Sequence, residues 1–358
     1  MRKKSVSFVM HSGRKVALRV VSIVGVVLML CAVTPAYASE IGVHILQTHE
    51  LPKAIEMLRP SVLGVSDTTE IYSQLEDSSW IPITIPLVLD DLSKTLEWQA
   101  FFDLARTYRI QPIVRLTTRF DHELGAWEVP TRKDVVMQVE FLEQLQWPNP
   151  SKKIVIVYNE PNHAKEWGGA VQPEEYADLL QFAIDWMSTS NAGFVVLPGG
   201  VDLAAPNGRD VTTGHQTMEG LQFIRRMIAH QPRIAETIHA WNSHSYPNPA
   251  FSGTPWDTGK MSIRGYQHEL RVVGEFTDRE LNVYITETGW EMNRRTRGRL
   301  ARYVLRAYQD VWLADERVLG VTPFLLNGAP GPFAEMSYYH ADGSPSELFW
   351  AFRSIASP

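Results

Sequence analysis

Cysteine is nearly missing from this sequence: Cys31 is the single one in 358 residues. An internal disulfide needs two thiols and a thiolate zinc site needs several, so both are excluded. Cys31 lies in an N-terminal segment that reads as a targeting signal, so the remaining chain has no thiol nucleophile either. Also absent are low-complexity linkers and runs of like charge. No Gly-rich phosphate loop follows the first apolar run, where "HILQTHELP" stands, which counts against an open dinucleotide-binding sheet.

The N-terminal segment has three parts. "MRKKSVSFVMHSGRK" is basic, Val20 to Val33 is almost uninterruptedly apolar, and "AYA" (Ala36 to Ala38) offers small residues at cleavage positions. This is the layout of a secretory signal, with Ser39 as the expected mature start. The apolar run is short of the about 20 residues a spanning helix needs, and Arg19 stops its extension. An uncleaved anchor is the alternative, and only then is a membrane a partner. The expected organisation is therefore a signal over 1–38 and one domain over 39–358.

Setting the signal aside changes the charge. Those 38 residues hold six of the 34 Lys and Arg and none of the 40 Asp and Glu, which leaves 28 against 40, a formal charge of −12. An acidic surface argues against nucleic acid or an anionic membrane face as partner. With 44% apolar residues in the whole chain, the domain can bury a large core.

What is present is alternation. Short apolar runs are each followed by an amphipathic stretch of roughly 10–15 residues, the signature of repeated βα units. The strand candidates are "IGVHIL" (from Ile41), "WIPITIPLV" (from Trp80), "IQPIVRLT" (from Ile110) and "KIVIVYNE" (from Lys153), then "GFVVLPGG" (from Gly193), "IHAWNSHSY" (from Ile238), "NVYITETG" (from Asn282) and "GVTPFLLN" (from Gly320). Eight such units predict a closed (β/α)₈ TIM barrel. "SVLGVSD" (Ser61 to Asp67) competes with "WIPITIPLV" for strand two. The latter is favoured because Ile81, Ile83 and Ile85 would fill the interior at period two, although Pro82 and Pro86 each remove a ladder donor.

In such a barrel the site lies at the C-terminal strand ends. The polar residues closing each strand are then the candidates: Arg115 on strand three, Asn159 and Glu160 on strand four, His244 and Tyr246 on strand six, Glu287 on strand seven and Asn327 on strand eight. Period two groups Val283, Ile285 and Glu287 on one face, and Ile154, Ile156, Tyr158 and Glu160 on another. Strands four and seven are three places apart, so Glu160 and Glu287 are expected to face each other across the mouth. Paired carboxyls are what glycosidic cleavage requires, one protonated and one ionised; about 5–5.5 Å between them implies retention, and roughly 6.5–9.5 Å inversion.

With "NEP" closing strand four, "HSY" strand six and "ITETGW" strand seven, the chain resembles the retaining glycoside hydrolases of clan A, the group of cellulases, mannanases, xylanases and β-xylosidases. The close "SYYHADGSPSELFWAF" resembles that group's turn into the last barrel helix. The resemblance implies Glu160 as general acid/base and Glu287 as nucleophile. It implies that Asn159 hydrogen-bonds the sugar 2-hydroxyl, that Tyr246 hydrogen-bonds the nucleophile and that His244 lines the same site. The implied substrate is an oligo- or polysaccharide with a β linkage, cleaved by double displacement without a cofactor. The sequence departs from the group where a tryptophan often closes strand eight. Phe324 and Asn327 stand here, so the sugar floor falls to Trp290, Trp241 or the loop around Phe333.

Arg115 reads either as a structural anchor or as the cation that keeps Glu287 ionised. Trp127, Trp167, Trp256 and Trp290 fall in loops after strands, where an aromatic face can stack on a sugar. His163 follows the strand-four motif and is a further cleft candidate. His239 sits on the opposite strand face from His244, which disfavours a shared metal, and no metal site is expected. Two other classes stand beside the hydrolase: a glycan-binding barrel without catalysis, and a metal-dependent barrel hydrolase.

Overall fold

The computed structural model describes residues 40–190, 193–210 and 214–356; the expected signal lies outside them. Eight parallel strands form the barrel. We label them β1 (Glu40–Ile41 and Val43–His44, divided at Gly42), β2 (Ile81–Val88), β3 (Ile110–Thr117), β4 (Lys153–Val157), β5 (Phe194–Pro198), β6 (Trp241–His244), β7 (Val283–Glu287) and β8 (Val318–Val321). All eight candidates overlap a strand, but the eighth is shifted: β8 ends at Val321, so Asn327 lies six residues beyond it and does not close it. The segment Ser61 to Asp67 forms no strand: Pro60–Val62 is a 3₁₀ turn, and the Asp67 carboxylate caps the next helix through the Thr69 N–H at 2.8 Å.

Two ladders make the wall. One runs through β1, β2, β3, β4 and β5, the other through β1, β8, β7 and β6. β1 joins them, pairing with β8 through Glu40 and Ile41 and with β2 through Val43 and His44. Between β5 and β6 the link is looser: the His239 N–H donates to the Val196 carbonyl at 3.3 Å, and Asp202 bridges His244.

The helices form the outer layer: α1 (Leu51–Leu58), α2 (Thr68–Leu75), α3 (Thr95–Thr107), α4 (Arg132–Gln144), α5 (Pro173–Thr189), α6 (Gly220–His230), α7 (Arg233–Thr237), α8 (Gly265–Val273), α9 (Leu300–Ala307) and α10 (Glu347–Ala356). Pro173 opens α5 with Glu174 and Glu175 behind it, a start that suits the positive end of the helix dipole. No helix among the described residues is long and apolar enough to cross a membrane.

The interior has two layers. The lower one is apolar: Ile113, Ile154, Ile156, Leu197, Ala240 and Tyr284 form one hydrophobic cluster with Val195 and Leu319 against it. Above it the lining turns polar. The Thr84 and Thr322 hydroxyls meet at 2.7 Å, Thr322 donates to the Thr286 carbonyl at 3.0 Å, and Thr286 donates to Asn242 Oδ1 at 2.6 Å.

This layering corrects two expectations. Ile81, Ile83 and Ile85 do not fill the interior; they belong to the barrel–helix core, and Pro82, Thr84 and Pro86 face inward instead. The prolines are tolerated because the even positions of β2 turn their backbone toward β1, as the Thr84 carbonyl does toward the Ile45 N–H. β1 pairs there over only two residues, so the full ladder to β3 loses no donor. Val283 and Ile285 likewise face the helices, and Tyr284 points in. Glu287 is therefore out of phase with them. A bulge restores it: Ser243 pairs with Ile285 but His244 pairs with Glu287, so Thr286 is the extra residue and both Thr286 and Glu287 turn inward.

Candidate active site

β4 delivers Asn159 and Glu160 by leaving regular geometry. Tyr158 has φ +63° and Glu160 φ +28°, conformations that cost a non-glycine residue roughly 1–3 kcal/mol each and cluster at functional sites. The first turns Tyr158 outward, where its hydroxyl donates to Gln138 on α4 at 3.1 Å and its ring meets Trp167. Asn159 and Glu160 are left at the mouth. The following Asn162 is a buried staple. Its amide donates to the carbonyls of Asp202 and Met218 at 2.9 and 3.0 Å and accepts from the Asp202 N–H at 3.1 Å. That staple ties the loop after β4 to the loop after β5.

Glu287 ends β7 at the centre of the mouth. Its Oε1 accepts from Nη1 of Arg115 at 2.5 Å and its Oε2 from the Tyr246 hydroxyl at 3.0 Å. Arg115 stands two positions above the interior Ile113 on β3, so strand alternation aims it into the mouth. The same Nη1 donates to Asn159 Oδ1 at 2.7 Å. Burial would raise the Glu287 carboxyl, but the charges of His244 and Arg115 outweigh it and hold the group down at about 2. His44, which closes β1, lies 3.7 Å from the same carboxylate. Burial first, then Arg115, push that imidazole down to about 3, so near neutral pH His44 is uncharged and adds no cation.

Glu160 has a different partner. Its Oε1 lies 2.8 Å from Nδ1 of His244, and that nitrogen is 3.7 Å from Glu287 Oε2. Burial lowers the imidazole, but the two carboxylates more than compensate and raise it. Gly200 makes room for this ring, since a Cβ at that position would stand 2.2 Å from His244 Cδ2. One carboxylate oxygen of Glu160, one ring nitrogen of His244 and one carboxylate oxygen of Glu287 lie within 4.8 Å of one another. That is close enough to hold a cation, yet both oxygens of Glu287 are already engaged, one of them by a guanidinium.

Around this centre lies a cleft of about 550 Å³, with Arg115, Asn159, Glu160, Tyr246 and Glu287 on its floor and Trp127 at its side. Trp127 belongs to the small hairpin of Phe120–Asp121 and Ala126–Trp127, where its ring packs edge-on against Phe120. Two tryptophans expected to touch substrate do not line the cleft. Trp167 is 0% exposed, packed on Tyr176, with its indole N–H on Glu175. Trp290 is 2% exposed, packed on Tyr303, with its N–H on the Gly253 carbonyl. Trp241 is spent in the barrel–helix core, donating to Glu269 of α8 at 3.1 Å, and Trp256 packs on Tyr303 away from the cleft. His244 also does not line the cleft; it is buried and holds Glu160 from beneath. His163 pairs with Asp202 at 3.0 Å, and Asp202 is the one that lines the opening.

The apolar wall is made by Phe251, Phe324, Phe333 and Met336, so the loop around Phe333 does take part. Sequence reasoning missed His44 and Glu166. His44 was legible: the rule of naming the polar residue that closes each strand, applied to "IGVHIL", returns it. Glu166, which lines the cleft seven residues beyond Asn159, has no strand-end signal.

Comparison with protein-family models and with curated protein sequences returned no match. Solved structures do share the fold. One is a triple mutant of an endo-β-1,4-glucanase from Xanthomonas axonopodis pv. citri, with TM-score 0.52 and 16% identity over 89% of this chain and 99% of that one. Another is one of two fungal β-1,4-galactanases, with TM-score 0.55 and 12% identity over 88% and 99%. A family 39 glycoside hydrolase from Bacteroides cellulosilyticus WH2 gives TM-score 0.53 and 15% identity over 90% of this chain and 64% of that longer one. At such identities the likeness is one of fold: this chain has the TIM-barrel fold in which those glycoside hydrolases are built.

Proposed function

We propose that this protein is a retaining glycoside hydrolase that cleaves a β-linked glycan by double displacement. The observation that carries the reading is the Glu160–Glu287 pair. Two strand-end carboxyls share one cleft with one oxygen of each inside 4.8 Å of the other, on the short side of the separation associated with retention. Glu287, held ionised and aimed by Arg115 and Tyr246, attacks the anomeric carbon. Glu160 protonates the leaving oxygen as the general acid and, left as the carboxylate, activates water against the glycosyl-enzyme. Trp127 offers a stacking face, and Phe324 and Phe333 stand in for the missing floor tryptophan.

The test is a panel of β-linked oligo- and polysaccharides followed by proton NMR from the first seconds of reaction. Release of the β-anomer before mutarotation is expected; release of the α-anomer would replace the reading with an inverting one. No cleavage of any panel member would leave a glycan-binding barrel. A metal-dependent hydrolase is the second reading that the Glu160–His244–Glu287 cluster supports. Activity unchanged after exhaustive chelation is expected, and loss restored by a divalent cation would favour that reading.

We also propose that the protein is exported through residues 1–38. N-terminal sequencing of the mature protein should begin at Ser39, whereas a start at Met1 would mean an uncleaved anchor.

A further inference from the structure

Two further carboxyls line the cleft beside Glu160 and Glu287: Asp202, which pairs with His163, and Glu166, which the two-step reaction leaves without a part. It ends the short turn Ala164–Glu166, pinned by the Glu166 N–H to the His163 carbonyl at 3.0 Å. Its Oε2 accepts from Asn159 Nδ2 at 3.2 Å, while Asn159 Oδ1 accepts from Arg115 at 2.7 Å. An amide has one accepting end and one donating end; a guanidinium only donates and a carboxylate only accepts. Arg115 and Glu166 therefore fit a single orientation of the Asn159 amide. Turned over, it would set donor against donor and acceptor against acceptor. One N–H of Asn159 is left without a partner among the described residues, on a side chain that lines the cleft.

We propose that Glu166 is a positioning residue: it fixes the Asn159 amide so that its remaining N–H donates to the 2-hydroxyl of the sugar held at Glu287. Burial and then the charge of Glu160 push the Glu166 carboxyl up to about 7, so keeping this group beside another carboxyl has a cost that a merely solvated side chain would avoid. The chain of contacts Glu287–Arg115–Asn159–Glu166 makes the nucleophile and this amide one hydrogen-bonded unit.

The inference rests on the glycosidase reading, and its test separates the two. An aryl β-glycoside and its 2-deoxy analogue are compared with the wild type, Glu166→Ala, Glu166→Gln, Asn159→Ala, the Asn159→Ala/Glu166→Ala double variant and Glu287→Ala. Glu166→Ala should lower kcat/KM on the 2-hydroxy substrate roughly tenfold, about what one orienting hydrogen bond contributes, and leave the 2-deoxy substrate within about twofold. Glu166→Gln, whose carbonyl still accepts from Nδ2, should restore most of the loss, and the double variant should be no worse than Asn159→Ala alone. Equal losses on both substrates, or additive losses in the double variant, would overturn the positioning role while activity itself upheld the glycosidase reading. If Glu287→Ala matched the wild type, the reading would fall and the inference with it.

Discussion

Glu287 and Glu160 stand three strands apart at one mouth, and their surroundings differ in kind. The Glu287 side chain is 10% exposed and fastened at both oxygens, by a guanidinium and by a phenol. The Glu160 side chain is 22% exposed and has one close partner, an imidazole that itself exchanges protons. On the proposed reading, that difference is what would give two like groups in one cleft two roles. A permanent cation fixes the charge and aim of one, while the other meets solvent and a single imidazole. The same contrast runs through the backbone, since a bulge places Glu287 and a left-handed residue places Glu160.

Removing each group should break the comparison from opposite sides. Glu287→Ala should cost roughly 10⁴–10⁶-fold in kcat, and azide added to it should yield the glycosyl azide of inverted configuration. Formation of the retained azide in that variant would exchange the two roles. Glu160→Gln should cost about 10²–10⁴-fold with a poor leaving group and far less in the glycosylation step with a dinitrophenyl glycoside; a loss independent of leaving group would remove Glu160 as the acid.

Arg115→Leu sharpens the electrostatic half of the contrast. In the wild type the Glu287 carboxyl sits near 2, below its ordinary value, because of His244 and Arg115 set against burial. The ionised form therefore contributes to stability and activity above the ordinary carboxyl range, a contribution lost only as pH falls toward 2. Without the guanidinium the carboxyl rises, so the acid limb of kcat/KM should move to higher pH, with about 10–100-fold lost at neutral pH. An acid limb that stays in place would mean that Arg115 is only an anchor.

The smallest effect expected is at Gly200→Ala. A methyl there meets the His244 ring, and overpacking of this kind costs about 1–3 kcal/mol, read as a lower melting temperature together with reduced turnover. Gly259→Ala, where a Cβ meets nothing, should leave both unchanged.

The eight strands were legible because short β-branched runs alternated with amphipathic ones, and strand-end polarity was enough to find Arg115, Asn159, Glu160, Tyr246 and Glu287. Parity was not. Period two put Val283 and Ile285 inside, and only the bulge at Thr286, which no residue type announces, brings Glu287 back in. Trp167 and Trp290 were misread because a loop tryptophan close behind a motif packs under the loop as readily as over the cleft. Their indole N–H groups find partners beneath the loops, Glu175 eight residues on and the Gly253 carbonyl 37 residues back. Glu166 was invisible for a related reason: its partner Asn159 lies seven residues back across a turn, and nothing in "HAKEW" marks the fold of that turn.

The most direct test of the central claim is mass spectrometry of the protein after reaction with activated 2-deoxy-2-fluoro β-glycosides of several sugar configurations. The arrangement predicts one fluorosugar per chain, on the peptide that carries Glu287. A label on Glu160 or another residue, or no label from any glycoside that the enzyme slowly turns over, would contradict it.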